Sequence, residues 1–225
     1  MVCLQGIEDS RMEAGKIDVK TLCAAIGAVI VVELLIGVAI SRDLFHPFLI
    51  LGIARIIETA LIITIVVRIG NGISSIGLNP SEMTVGFKRG LIWSVGFGIV
   101  AGIAFVIVSL FGFNPLDMIQ VQLPAGIGVV VMYVLISVVI GPIAEEVFFR
   151  GIIYGFFRRW GIIAALVASS LLFILAHSAL RGVPITQVVG GIVFAIAYEI
   201  EGSLVVPITI HILGNMAMLI VSLIF

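Results

Sequence analysis

The chain has 225 residues, 61% hydrophobic and 11% charged, with a formal net charge of -1 and a mean hydropathy of +1.33. In water it would expose far more apolar surface than it could cover, which excludes a soluble globular domain, and no basic run points to a nucleic-acid partner. Cys3 and Cys23 are too few, and too near the N-terminus, for a disulfide framework or a metal site.

Residues 1–20 are polar with mixed charge. Glu8, Asp9, Glu13 and Asp18 are not what the basic segment of a cleavable signal peptide carries, so the first apolar run, about 21–40, is predicted to stay as a membrane helix. A second span is predicted at about 47–67. It carries Arg55 and Glu58 at i, i+3, which with Glu33 of the first span are expected to form a buried polar contact between helices.

Residues 68–90 are the next soluble stretch. Asn79-Pro80-Ser81-Glu82 reads as a helix start, with Asn79 as cap, Pro80 first and Glu82 reaching back, so a short surface helix is expected to feed a third span at about 91–113. Its Gly98-x-x-x-Gly102 spacing permits close helix approach. Residues 114–124 form a loop broken by Asn-Pro and Leu-Pro.

From 125 to 159 the apolar character is nearly continuous. At 1.5 Å per residue that is about 50 Å, against ~30 Å of hydrocarbon, and Gly141-Pro142 is expected to kink or divide the helix and free carbonyls that hold water. Further spans follow at about 161–178, 185–200 and 204–224. The expectation is an all-α, polytopic membrane helix bundle of about seven transmembrane helices. It forms a single membrane domain over 1–225, with 1–20 a polar N-terminal segment and 125–220 the catalytic helices. Lys and Arg concentrate in loops that share one side with the N-terminus, with Trp93 and Trp160 at the same interface, which places the N-terminus in the cytoplasm and the C-terminus outside.

Ionisable groups within such spans are functional candidates by default. Glu145, Glu146 and Arg150 fall within six positions of an otherwise apolar run. On a helix Glu146 and Arg150 pair at i, i+4. Glu145 lies about 100° around the helix, without a local cation. A buried ion-pair network that merely joins helices would use the same three residues. His177 closes another apolar run with Phe173 one turn before it, and His211 and Asn215 share a face at i, i+4. Counted from the inner helix ends, Glu145 lies about 20 Å deep, His177 about 24 Å, His211 about 12 Å and Asn215 about 18 Å, close enough for one site.

The succession Glu-Glu-x-x-x-Arg, Phe-x-x-x-His and His-x-x-x-Asn on successive apolar helices resembles the CAAX protease and bacteriocin-processing family, which includes the type II CAAX prenyl endopeptidases. Phe149-Arg150-Gly151 and Glu201-Gly202-Ser203-Leu204 match as well, and the resemblance covers about 142–215. It implies an intramembrane, metal-independent glutamate protease without cofactor, which removes C-terminal residues from a prenylated CAAX-type or other membrane-associated peptide. Under that resemblance Glu145, helped by His177, takes the proton of the attacking water, and His211 and Asn215 donate to the oxyanion. Glu146 and Arg150 hold the helix face, and Phe148, Phe149 and Phe173 are pocket candidates. The expected partners are membrane lipid and a peptide or lipidated peptide. Two other readings use the same residues: a zinc-dependent hydrolase with Glu145, His177 and His211 as ligands, and a non-enzymatic scaffold, immunity factor or transporter built on a buried polar network. Neither the substrate nor the oligomeric state is written in these motifs.

Overall fold

A computed structural model describes residues 17–42, 45–119, 123–177 and 185–224, with no strand among them. Cys3 with the rest of the polar segment up to residue 16, and Arg181 in the stretch 178–184, lie outside the described residues. Seven long helices follow in order: α1 (Val19–Ser41), α2 (Pro47–Arg68), α3 (Met83–Leu110), α4 (Ile127–Trp160), α5 (Ile162–His177), α6 (Ile185–Glu201) and α7 (Val205–Ile224). They occupy the seven segments expected from hydropathy. In hydrocarbon every backbone polar group must be satisfied internally, and helices do this within one segment. Of the seven, α1 to α4 and α7 are long and apolar enough to cross a bilayer. α5 and α6, with 16 and 17 residues, reach only about 24–26 Å of a ~30 Å core. The protein is a multi-pass membrane bundle.

Local chemistry sets the helix starts. Asp18 accepts the Thr21 N–H at 2.8 Å to cap α1, and His46 with Pro47 opens α2. Asn79 caps as expected, accepting from the Ser81 N–H and hydroxyl. Glu82 closes that turn with its backbone N–H on the Asn79 carbonyl at 3.0 Å. The turn Pro80–Glu82 runs directly into α3, so no separate surface helix intervenes.

α1 packs along α2, α3 along α7, and α5 along α6. A core that includes Ile62, Ile76, Ile152, Tyr198 and Leu204 ties α2, α4, α6 and the start of α7 together. Polar contacts fasten one end of the bundle. Arg158 and the Tyr154 hydroxyl both donate to Glu199, at 2.9 and 2.8 Å, and Arg89 and the Trp93 indole both donate to Glu201 at 2.9 Å. The Leu204 N–H donates to the Gly77 carbonyl. Gly77 has φ +71°, and a Cβ there would stand 2.8 Å from the Gly202 carbonyl.

The close approach of α3 does not use the expected glycines. Gly98 and Gly102 have open space where a Cβ would lie, whereas a Cβ on Gly90 would come within 2.6 Å of Thr209 and one on Gly86 within 2.6 Å of Ser203. The spacing was right, but the pair that meets α7 lies about three turns earlier, where α3 is pinned by Arg89 and Trp93. Gly90→Ala therefore lowers the melting temperature and Gly98→Ala leaves it nearly unchanged, within about 0.5 kcal/mol. Thermal unfolding of the two variants side by side checks this.

α4 is not divided at Gly141-Pro142 but continues to Trp160. It absorbs the proline by widening: Leu135–Ile140 is π-helical, Gly141–Glu146 is α-helical, and Val147–Tyr154 is π-helical again. The Gly141 N–H bonds the Ile136 carbonyl five residues back. In that register residue 142 would serve Ser137, and Pro142 has no N–H to give. The freed carbonyl is taken up by Asn215, whose Nδ2 donates to Ser137 O at 2.9 Å. A side chain thus occupies a carbonyl expected to hold water.

Candidate active site

The α-helical turn between the two π-helical stretches carries both acids and turns them apart. Glu146 is fully buried and accepts from Arg150 Nη1 at 2.9 Å. Arg150, equally buried, also donates from Nη2 to the Gly191 carbonyl at 3.0 Å, and its guanidinium lies 4.7 Å from the Phe173 ring centroid. The i, i+4 pair read from the sequence is formed, and it ties α4 to α6 and α5. Glu145, 25% exposed, points into a cavity instead.

Two histidines converge on Glu145. His177 Nε2 and His211 Nε2 each lie 3.8 Å from Glu145 Oε2. Both rings are fixed from behind. His177 Nδ1–H donates to the Phe173 carbonyl at 2.8 Å, one turn back in α5. His211 Nδ1–H donates to Glu146 Oε1 at 2.8 Å. A carbonyl or carboxylate oxygen only accepts, so the proton is on Nδ1 in each ring, and a neutral imidazole then presents a lone pair at Nε2. His211 thereby bridges the two acids. Phe194 stacks on its ring at 4.6 Å between centroids.

The bridge is what sequence reasoning missed, because a contact between residues 65 apart leaves no periodic signal. The Asn215 amide, whose Nδ2 is bonded to Ser137, keeps a second N–H of that amino group. Phe148 and Phe149 line the cavity in front of Glu145. Phe173 lies behind it, packed edge-on against Phe149 and beneath Arg150. Among the described residues, no three His, Cys, Asp or Glu side chains are gathered in a metal-holding arrangement.

The cavity has a volume of about 300 Å3 and reaches from Glu145 and His177 across to Glu33, Arg55 and Glu58. Arg55 joins Glu33 at 2.7 Å and is also paired with Glu58. The interhelical contact expected from the sequence is present, and it forms one wall of the same chamber as Glu145.

Residues 126–217 match the family described as type II CAAX prenyl endopeptidase Rce1-like. This stretch runs from α4 into α7, holds every residue around Glu145 named above except the Glu33–Arg55–Glu58 wall, and is similar to that family. Over 84 residues the chain is 38% identical to the membrane-embedded CAAX protease MroQ of Staphylococcus aureus (strain USA300), across 34% of this chain and 34% of that protein. The chain therefore aligns with about a third of the length of that curated relative. No solved structure matches.

Proposed function

We propose that this protein hydrolyses a peptide bond of a membrane-associated peptide with a water activated by Glu145. The observation that carries the reading is the pair of 3.8 Å separations from Glu145 Oε2 to the two Nε2 atoms. They are too long for direct hydrogen bonds and suit a water shared among the three groups.

In this reading Glu145 takes a proton from the water as its oxygen bonds to the scissile carbonyl carbon, and His177 Nε2 orients the water by accepting its other hydrogen. The carbonyl π electrons move to oxygen. The second N–H of Asn215 and the Nε2–H of His211 in its imidazolium form donate to that oxyanion. Collapse restores the carbonyl, breaks the C–N bond, and returns the proton from Glu145 to the leaving amine.

The substrate is a peptide presented from the bilayer, of the C-terminal CAAX type that the family description names. The basic residues Arg89, Arg158 and Arg159 cluster at one end of the bundle with Ile17 of the N-terminal side, and that end faces the cytoplasm.

Anchoring both Nδ1–H groups is also what histidine ligands of a metal require, so the deciding experiment includes a chelator. Purified protein in lipid nanodiscs is given fluorogenic peptides, prenylated and not. Hydrolysis is expected to persist after exhaustive chelation, without stoichiometric metal in the active protein. Loss on chelation and recovery with zinc would establish the zinc hydrolase. Absence of hydrolysis by folded protein would favour the scaffold reading.

A further inference from the structure

The Glu33–Arg55–Glu58 cluster lies outside the matched stretch 126–217, on α1 and α2, and the reaction as described does not use it. Three features mark it as more than a clasp between helices. Its charges do not cancel: Arg55 faces both Glu33 and Glu58, and Glu145 lines the same cavity. The cluster itself sets two carboxylates against one guanidinium, in a water-poor setting where uncompensated negative charge is strongly disfavoured. Second, Glu58 is 3% exposed and lines the cavity, yet its Oε1 has no hydrogen-bond partner among the described residues. Buried carboxylate oxygens are normally satisfied, so this one lacks a donor. Third, the remaining walls are apolar: Val29, Ile62, Phe148 and Phe149 surround the gap between the cluster and Glu145, and Ala144 and Ala176 leave it open.

A ligand that complements these walls has a hydrophobic stem and a cationic head. A substrate C-terminal carboxylate does not fit, because both terminal nitrogens of Arg55 are already paired with carboxylates and the chamber repels a further negative charge. We propose that the chamber is a subsite for a basic side chain, lysine above all, of the peptide substrate, with Glu58 and Glu33 as its specificity-determining residues. The methylene stem lies along Phe148, Phe149 and Ile62. The ammonium reaches Glu58 and Glu33 and supplies the donor that Glu58 lacks. The scissile bond is then held beside Glu145. This inference rests on the hydrolytic reading, and its test is arranged so that the two fail separately.

The probe is a fluorescein-labelled host peptide made uncleavable by backbone N-methylation, carrying lysine, norleucine or glutamate at each of its central positions in turn. Binding is read by anisotropy on the full chain in nanodiscs, beside hydrolysis of the unmethylated series. At one position lysine is expected to bind about 10- to 100-fold more tightly than norleucine, with glutamate weakest, as for an opposed charge a few ångströms away at an effective dielectric near 20. In Glu58→Gln that preference falls to within about 3-fold. Glu33, being 44% exposed, gives a smaller loss in Glu33→Gln, and that variant decides the matter should Glu58→Gln fail to fold. Equal binding of lysine and norleucine at every position, or a lysine preference unchanged in a folded variant, would overturn the subsite and leave the cluster a structural contact. Lysine preference without hydrolysis would remove the proposed reaction and keep the subsite. Hydrolysis without charge preference would do the reverse.

Discussion

Glu145→Gln leaves a folded protein whose kcat for peptide hydrolysis falls by about 10²–10⁴-fold, the range that a positioned general base supplies. The substitution keeps size and shape and removes the group that takes the proton. Among the described residues Glu145 approaches the histidines at 3.8 Å without a direct hydrogen bond, and it faces a cavity, so the packing loses nothing. An unchanged melting temperature with near-complete loss of kcat is the expected pair of results. Retained hydrolysis at half the normal rate or more would move the base to His177 or His211.

Glu146→Gln has the opposite balance. Its carboxylate receives Arg150 and His211 on one oxygen, all within the bundle interior. Removing its charge leaves the Arg150 guanidinium buried with a neutral partner, and breaking a buried pair in this way costs about 3–5 kcal/mol. The melting temperature drops by on the order of 10 °C for a chain of this size. Activity falls too, by a different route: His211 loses the charged acceptor behind its ring, so its Nε2 is held less well toward the oxyanion. Differential scanning fluorimetry with kcat checks both halves. A variant with wild-type melting and a Glu145→Gln-like rate would mean that the two acids share one task.

Much of this was legible in the chain. Seven apolar segments gave seven helices because in a bilayer a backbone has few other ways to satisfy its polar groups. The divergence of Glu145 and Glu146 followed from helical rotation alone. What was not legible depends on partners distant in sequence. Glycine spacing says that close approach is possible but not where, and the neighbours of Gly86 and Gly90 on α7 settled it. Pro142 guarantees a defect in the backbone ladder, but its absorption in π-helical turns, with the freed carbonyl taken by Asn215 73 positions away in sequence, is not written in the local residues. The link from His211 to Glu146 and the shared chamber with Arg55 are likewise products of packing. The first places an acid at the back of a histidine, and the second turns an interhelical contact into a wall.

The π-helical stretches of α4 act as a rotary setting. Each residue of an α-helix advances the chain by about 100°, and a wider turn takes up an additional residue without advancing the helix by the same amount. Glu145 and Glu146 lie between two such stretches, so their bearings relative to the rest of α4 depend on how many residues are stored on either side. Removing one residue from 135–140 would let that stretch relax to ordinary helix and swing the helix on one side of it through a large angle. Glu145 would leave the chamber, and Glu146 and Arg150 together would leave His211 and Gly191, with every functional side chain still present in the sequence. For this protein a single-residue deletion in an apolar stretch that holds no motif residue is thus as consequential as losing the carboxylate itself, and a count of intact motifs would not detect it.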